Sequence, residues 1–167
     1  MGTSEHRKHA LASLTIAVLS VSSTRSLADD KSGKWICKRA AKEGHQVVCH
    51  RVIPDQAEQI METVTDLLNG LPPHAILLTG GTGISKQDVT IEAVRPLFHK
   101  ELSAFGAIFA QLSFAEIDSA AILSRATAGI INETVVFCIP GSLKACKLAC
   151  KALIFPELGH ILKHIRE

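Results

Sequence analysis

Apolar residues recur along this chain in two rhythms. Three runs are short and apolar almost throughout: "LTIAVLSV" (14–21), "AILLT" (75–79) and "TVVFCIP" (134–140). Runs of this length, rich in β-branched residues and bounded by turn residues, predict buried strands. A fourth, "HQVVCHRVI" (45–53), alternates and predicts a further strand. Elsewhere the spacing is helical. Ile60, Val64, Leu67 and Leu68 share one face of "AEQIMETVTDLLNG", with Asp55 as a candidate cap. "KWICKRAAKEG" follows Ser32 or Asp30 as cap and stops at Gly44. Helices are also predicted for "DVTIEAVRPLF" as far as Pro96, for "ELSAFGAIFAQLSFAEID" with a break at Gly106, for "GSLKACKLACKALI", and for "ELGHILKHIRE" after Pro156.

Strand, helix, strand, helix, strand, joined by short links, is the order of a parallel α/β sheet with helices on its faces. Residues 1–10 read as a loose polar arm and 11–167 as one domain, with no internal repeat or linker. The length of 167 residues agrees with a single core of useful size.

Composition narrows the functional classes. A net charge of +2 gives no general attraction to nucleic acid or to a membrane surface. Aromatics make up 4% and Tyr is absent, which argues against a base-stacking platform. No apolar run is expected to span a bilayer. The first thirty residues imitate a secretory leader, but Ser13, Thr15, Ser20, Ser22 and Ser23 interrupt the apolar stretch, which reads better as a first strand. The five cysteines, an odd number, read as reduced thiols in a cytoplasmic protein.

The densest chemistry lies in "AILLTGGTGISKQDVTIEAV" (75–94), where a buried strand runs into three glycines. Gly80, Gly81 and Gly83 let the backbone approach a ligand closely. Thr79 and Thr82 add hydroxyls, and consecutive N–H groups in such a turn cup an anion. Lys86 adds charge, and Asp88 beside a phosphate suits a Mg²⁺ ligand. The plainer alternative is a tight strand-to-helix link with Asp88 as cap. Asp55, just past the second strand, would reach the same sheet edge, or would simply cap its helix. "IPGSLKA" (139–145) repeats the geometry, with Ser142 and Lys144 at a helix start, where capping is again the alternative.

Six collinear motifs, "TGGTGISKQDVTIEA", "IPD", "DKSG", "LSRATAG", "PGSLKA" and "FPELGHIL", together resemble the molybdenum-cofactor biosynthesis protein B family and its MogA relatives, over about residues 14–165. The resemblance implies a three-layer α/β/α sandwich with a mostly parallel central sheet, assembled as a homotrimer or homohexamer. It implies Mg²⁺- and ATP-dependent adenylylation of molybdopterin with release of pyrophosphate, or a weakly active molybdopterin carrier of the same fold. It implies molybdopterin synthase or metal-insertion proteins as candidate partners. It places the phosphate turn on Thr79, Gly80, Gly81, Thr82 and Gly83 with Lys86, and the two functional acids, candidate Mg²⁺ ligands, on Asp55 and Asp88. Its pterin-side turn falls on Pro140, Gly141, Ser142 and Lys144, with Ser22 after the first strand. The chain departs from the family at Ser23, where an acid is usual, at Gln87, where an arginine is usual, and at Ala104, Ala107 and Ala110.

Other clusters are weaker. Cys146 and Cys150 with His160 and His164 superficially suggest zinc, but each pair sits one helical turn apart with Pro156 between them. The apolar stripe of "FHKELSAFGAIFAQL" suits a subunit interface or the core equally well.

Overall fold

Successive residues of the central strands point to opposite sides of one sheet, and both sides are apolar. The computed structural model describes residues 13–167, so the polar arm expected over residues 1–10 lies outside the described residues. In chain order the elements are β1 (Thr15–Val21), α1 (Lys31–Lys42), β2 (Gln46–Ile53), α2 (Ala57–Asn69), β3 (Ala75–Thr79), α3 (Thr90–Val94), β4 (Lys100–Glu101), α4 (Ser103–Ile117), β5 (Thr127–Ile131), β6 (Thr134–Ile139), α5 (Leu143–Ala149) and α6 (Phe155–Arg166). The six strands form one sheet in the order β2-β1-β3-β6-β5-β4. β2, β1, β3 and β6 are parallel, while β5 pairs antiparallel with β6, and β4 with β5.

Alternation on β1, β3 and β6 divides the core in two. Ile16, Val18, Leu77, Val135, Phe137 and Ile139 pack with Ile36, Phe109 and Leu158, under α1, α4 and α6. Ala17, Leu19, Ile76, Leu78, Val136 and Cys138 pack with Ile60, Val64, Ile91 and Val94, under α2 and α3. The result is three layers, as expected. Burying each large aliphatic side chain contributes about 1.5–3 kcal/mol, against roughly 0–1 kcal/mol for a surface ion pair. The sheet is therefore a stiff base for the loops at its rim.

Five local expectations need correction. The helix over "ELSAFGAIFAQLSFAEID" does not break at Gly106; α4 is continuous from Ser103 to Ile117. Gly106 is there for contact, since a Cβ would lie 2.5 Å from the Ala126 carbonyl oxygen. The helix after the glycine turn is only Thr90–Val94, followed by a 3-10 turn at Arg95–Leu97, and its cap is Val89 rather than Asp88. Asp55 is not a cap either; Gln56 takes that place in α2. The two last helices are not separated at Pro156: a π turn at Cys150–Ile154 joins α5 to α6, with Pro156 in the first turn of α6. Ile154 before it is itself helical, so the missing N–H of Pro156 removes one bond from a continuous helix, just after the π turn. Finally, the 21 residues Ser103–Leu123 are by length and composition enough to cross a membrane, contrary to expectation. They are bent at Asp118 (φ 51°) and anchored in the core by Phe105 and Phe109.

β5 has no counterpart in the sequence reading. It turns back into β6 through Asn132, whose φ of 53° closes the hairpin. Gly129 lies flat under Phe98, whose ring atoms would sit 2.3 Å from a Cβ there.

Candidate functional site

The chain leaves β1 toward β2 on one side and returns to β3 on the other, so loops diverge above the carboxyl ends of β1 and β3. Such a switch point is where open α/β sheets hold ligands. A cleft of about 470 Å³ occupies it, walled by the loops after β1 (Val21–Arg25), β2 (Asp55), β3 (Gly80–Gly83, Ser85, Gln87, Asp88) and β6 (Pro140–Ser142), and by Leu123 and Ser124.

The glycine turn is shaped by its neighbours. Gly80 and Gly81 take φ of +101° and +65°. A Cβ on Gly80 would meet the Val21 carbonyl oxygen at 2.5 Å, and one on Gly81 would meet Thr90 Oγ1 at 2.4 Å. Both positions need glycine for space and for conformation. Thr90 fastens the turn from α3: its hydroxyl donates to the Gly80 carbonyl (2.8 Å) and its N–H to that of Gly81 (2.9 Å). Among the described residues nothing accepts from the N–H groups of Gly81, Thr82, Gly83 or Ile84. A run of open amides of this kind is an anion nest.

Asp88 closes the turn. Its Oδ2 accepts from the Ser85 N–H at 2.8 Å and lies where a Gly83 side chain would begin. Asp55 faces the same cleft, its carboxylate accepting from the Ser23 hydroxyl. No Lys or Arg is paired with either carboxylate among the described residues, leaving both available to a cation. Arg25 is the one cationic side chain on the cleft wall among the described residues.

The turn Pro140–Gly141–Ser142 is tied to the rest of the cleft. Asp30 caps α1 by accepting from the Gly33 N–H at 2.9 Å, and this cap presents Ser32, whose hydroxyl donates to the Gly141 carbonyl at 2.9 Å. Gly141 rests on Gly80, with 3.0 Å between its would-be Cβ and the Gly80 Cα. Asp30 is fully buried and also accepts from Ser20 Oγ (2.6 Å), with His50 Nε2 at 2.7 Å. Burial opposes its ionisation, but the bonds from Ser20, Gly33 and His50 outweigh that and hold the carboxyl below its ordinary range. A Cβ on Gly33 would strike all three side chains, Asp30, His50 and Ser20, within 2.6 Å, which accounts for the glycine of "DKSG".

The structure thus brings Ser22, Asp55, Gly80, Gly81, Thr82, Gly83, Asp88, Pro140, Gly141 and Ser142 to one cleft. It does not bring Thr79, Lys86 or Lys144 there. Thr79 is turned into the core, its hydroxyl donating to the Pro140 carbonyl at 3.0 Å beside Cys146 Sγ. Lys86 is exposed off the cleft wall, and Lys144 reaches toward Glu116 at 3.8 Å. Ser142 caps α5 through the Ala145 N–H at 3.2 Å. Of the departures from the family pattern, Ser23 and Gln87 stand on the cleft wall, whereas Ala104, Ala107 and Ala110 do not.

Two residues escaped the sequence reading as site residues. Arg25, on the loop after β1, carries no role in the sequence reading. Arg125, in "LSRATAG", donates through Nε to the carbonyls of Thr82 and Gly83, each at 3.0 Å. No spacing rule links positions 82 and 125.

The zinc constellation is pulled apart. Cys146 and Cys150 are buried in the core, where burial pushes both thiols up. His160 and His164 face each other on α6 with Nε2 atoms 2.9 Å apart. Cys37 is likewise pushed up by burial, to about 11, so it is no activated nucleophile.

Fold and cleft define a class: a three-layer α/β protein whose rim carries bare backbone amides and two carboxylates with no Lys or Arg partner among the described residues. The chain belongs to the family of the probable molybdopterin binding domain, whose family model matches residues 17–160. It is 45% identical over 168 residues to molybdenum cofactor biosynthesis protein B of Bacillus subtilis (strain 168), covering 100% of this chain and 99% of that one. It is 39% identical over 173 residues to molybdopterin adenylyltransferase of Pyrococcus furiosus, covering all of both. Among solved structures, one of molybdenum cofactor biosynthesis protein B superposes with a TM-score of 0.89 at 40% identity, over 92% of this chain and 96% of that one. The tungsten cofactor synthesizing protein MoaB from Pyrococcus furiosus gives 0.86 at 38% identity, over 95% and 100%.

Proposed function

We propose that this chain works in molybdenum cofactor biosynthesis as a molybdopterin adenylyltransferase, moving AMP from ATP to the terminal phosphate of molybdopterin and releasing pyrophosphate. The observation that carries the reading is the row of open amides from Gly81 to Gly83 on the cleft that also holds Asp55 and Asp88. The adenylyltransferase name borne by the relative in Pyrococcus furiosus supports it.

In this reaction a phosphate oxygen of molybdopterin attacks the α-phosphorus of ATP. The new P–O bond forms as the bond from the α-phosphorus to the α–β bridging oxygen breaks, and pyrophosphate leaves with that electron pair. The attacking phosphate is already ionised at neutral pH, so no strong base is required, and catalysis reduces to alignment and charge stabilisation. The amides of the glycine turn bind the nucleotide phosphates and stabilise the charge on the transferred phosphorus. Arg25 adds a positive charge on the same wall. The Pro140–Gly141–Ser142 turn, held by Ser32, takes the pterin side.

Asp55 and Asp88 fit a Mg²⁺ ion: such an ion uses one or two carboxylates and completes its shell with phosphate oxygens and water. When bound, Mg²⁺ neutralises the nucleotide phosphates and fixes their orientation. The exposed Ile108, Phe114, Ile117, Ile122 and Leu123 on and after α4 agree with the homo-oligomer, trimer or hexamer, that the resemblance implies. The five free cysteines agree with a cytoplasmic setting.

A carrier of low activity is the second reading. It is favoured by Ser23 and Gln87, which stand on the cleft wall where an acid and an arginine were expected. Incubation with molybdopterin and Mg-ATP separates the two. Pyrophosphate released above a no-protein control identifies the enzyme. Retention of molybdopterin without release identifies the carrier.

A further inference from the structure

Arg125 lies behind the glycine turn, not in the cleft, and it bridges three elements. Its Nε sits 3.0 Å from the carbonyl oxygens of both Thr82 and Gly83. Its two terminal nitrogens grip Glu92 of α3, at 2.5 Å from Oε1 and 3.3 Å from Oε2. The bond from Arg125 holds the Glu92 carboxyl below its ordinary range, against a smaller opposing effect of burial. Glu92 in turn fixes the fork of the guanidinium, so the Nε–H has one direction in which to point.

A trans peptide is planar, with its C=O and N–H pointing opposite ways. Anchoring the Thr82 carbonyl therefore aims the Gly83 N–H away from Arg125, and anchoring the Gly83 carbonyl does the same for the Ile84 N–H. Neither N–H has a partner among the described residues, and Gly83 lines the cleft. Gly83 has no side chain to resist rotation of these peptide units. Donation to the carbonyls also polarises the same peptides and strengthens their N–H groups as donors.

We infer that Arg125 is a positioning residue, which aims and stiffens the phosphate-binding amides of Gly83 and Ile84 without itself touching phosphate. This rests on the adenylyltransferase reading for the identity of the ligand, but not for the stiffening. Its positive charge is spent on Glu92, so its role is geometric. A lysine, with no fork to hold Glu92 and both carbonyls at once, does not replace it.

The test uses Arg125→Lys and, in case that variant folds poorly, Glu92→Ala, which leaves Arg125 in place but unheld. In the ligand-free wild-type protein the ¹⁵N order parameters of the Gly83 and Ile84 amides are expected near ~0.85, falling below ~0.6 in Arg125→Lys and to an intermediate value in Glu92→Ala. With Mg-ATP and molybdopterin, the KM for ATP is expected to rise about tenfold in Arg125→Lys while the KM for molybdopterin stays put. Unchanged order parameters in both variants, or a wild-type turn that is already mobile, overturn the inference. An unchanged KM for ATP in Arg125→Lys, in a preparation that turns over, overturns it too. If the wild type releases no pyrophosphate, the adenylyltransferase reading fails while the order parameters still decide on Arg125.

Discussion

The carboxylate of Asp88 occupies the space in which a side chain at Gly83 would begin: a Cβ there would lie 2.7 Å from Oδ2. The glycine is thus needed by an acid five residues away, and not only by the ligand. Gly83→Ala forces Asp88 to swing aside. The far end of one half-buried side chain moves easily, so unfolding stability is expected to change by no more than about 0.5 kcal/mol. Activity is expected to fall about 10²-fold, the scale of a 1 Å misplacement in an aligned site. A thermal melt alongside a pyrophosphate assay reads both. Equal loss of stability and activity would mean the glycine serves only the backbone.

Ser32→Ala removes the donor to the Gly141 carbonyl and cuts the tie between α1 and the turn proposed to take the pterin. The bond is part-buried, and its loss is expected to cost about 1 kcal/mol. The KM for molybdopterin is expected to rise more than the KM for ATP. A rise confined to ATP would place the pterin elsewhere.

Asp30→Asn strikes the buried network with Ser20, Gly33 and His50. Because the folded carboxyl titrates below its ordinary 3.8, its stabilisation is present above about pH 4 and is lost as pH falls through the folded value. Urea unfolding at pH 7 is expected to show a loss of about 3 kcal/mol, the scale for disturbing one partner of a buried charge network. The gap between variant and wild type is expected to narrow toward pH 3. A gap independent of pH would mean the network is held by packing rather than by charge.

His74 makes the fold sensitive to mild acid. Its Nδ1 accepts from the Thr15 N–H at 2.9 Å, which only an unprotonated nitrogen can do. Burial, helped by the charge of Arg166, pushes this imidazole below its ordinary 6.5, and burial moves His45 the same way. The unfolded chain therefore takes up protons first, and stability is expected to fall as pH drops from about 6.5 toward the folded values. Urea midpoints from pH 7.5 to 5 check this, and His74→Asn is expected to flatten part of the slope. The full slope persisting in His74→Asn would assign it to other groups.

The sequence disclosed the parts of this molecule that depend on local pattern. β1, β2, β3 and β6 follow from runs such as "AILLT", because a strand buried on both faces must be apolar throughout. Gly80 and Gly81 announce a tight turn, because no other residue tolerates that conformation beside Val21 and Thr90. β5 was not legible: "TAGII" is short, carries a glycine, and becomes a strand only because β6 lies beside it. The seat of Gly106 against Ala126 was misread as a break for the same reason, since the partner is remote in sequence. Thr79 looked like a ligand hydroxyl because it adjoins the glycines at the strand's end, yet alternation from Leu77 turns it to the buried face of Cys146. Arg125 was invisible as a site residue because its role is set by tertiary contact with carbonyls more than forty positions away.

The most direct test of the whole account follows label from ATP carrying radioactive phosphorus at the α position, in one turnover, with wild type and with the Asp55→Asn/Asp88→Asn double variant. The account predicts label on molybdopterin in equal amount to pyrophosphate released by the wild type, and none above background from a folded double variant. Label transferred equally well without the two aspartates would contradict it, as would pyrophosphate appearing with no label on the pterin.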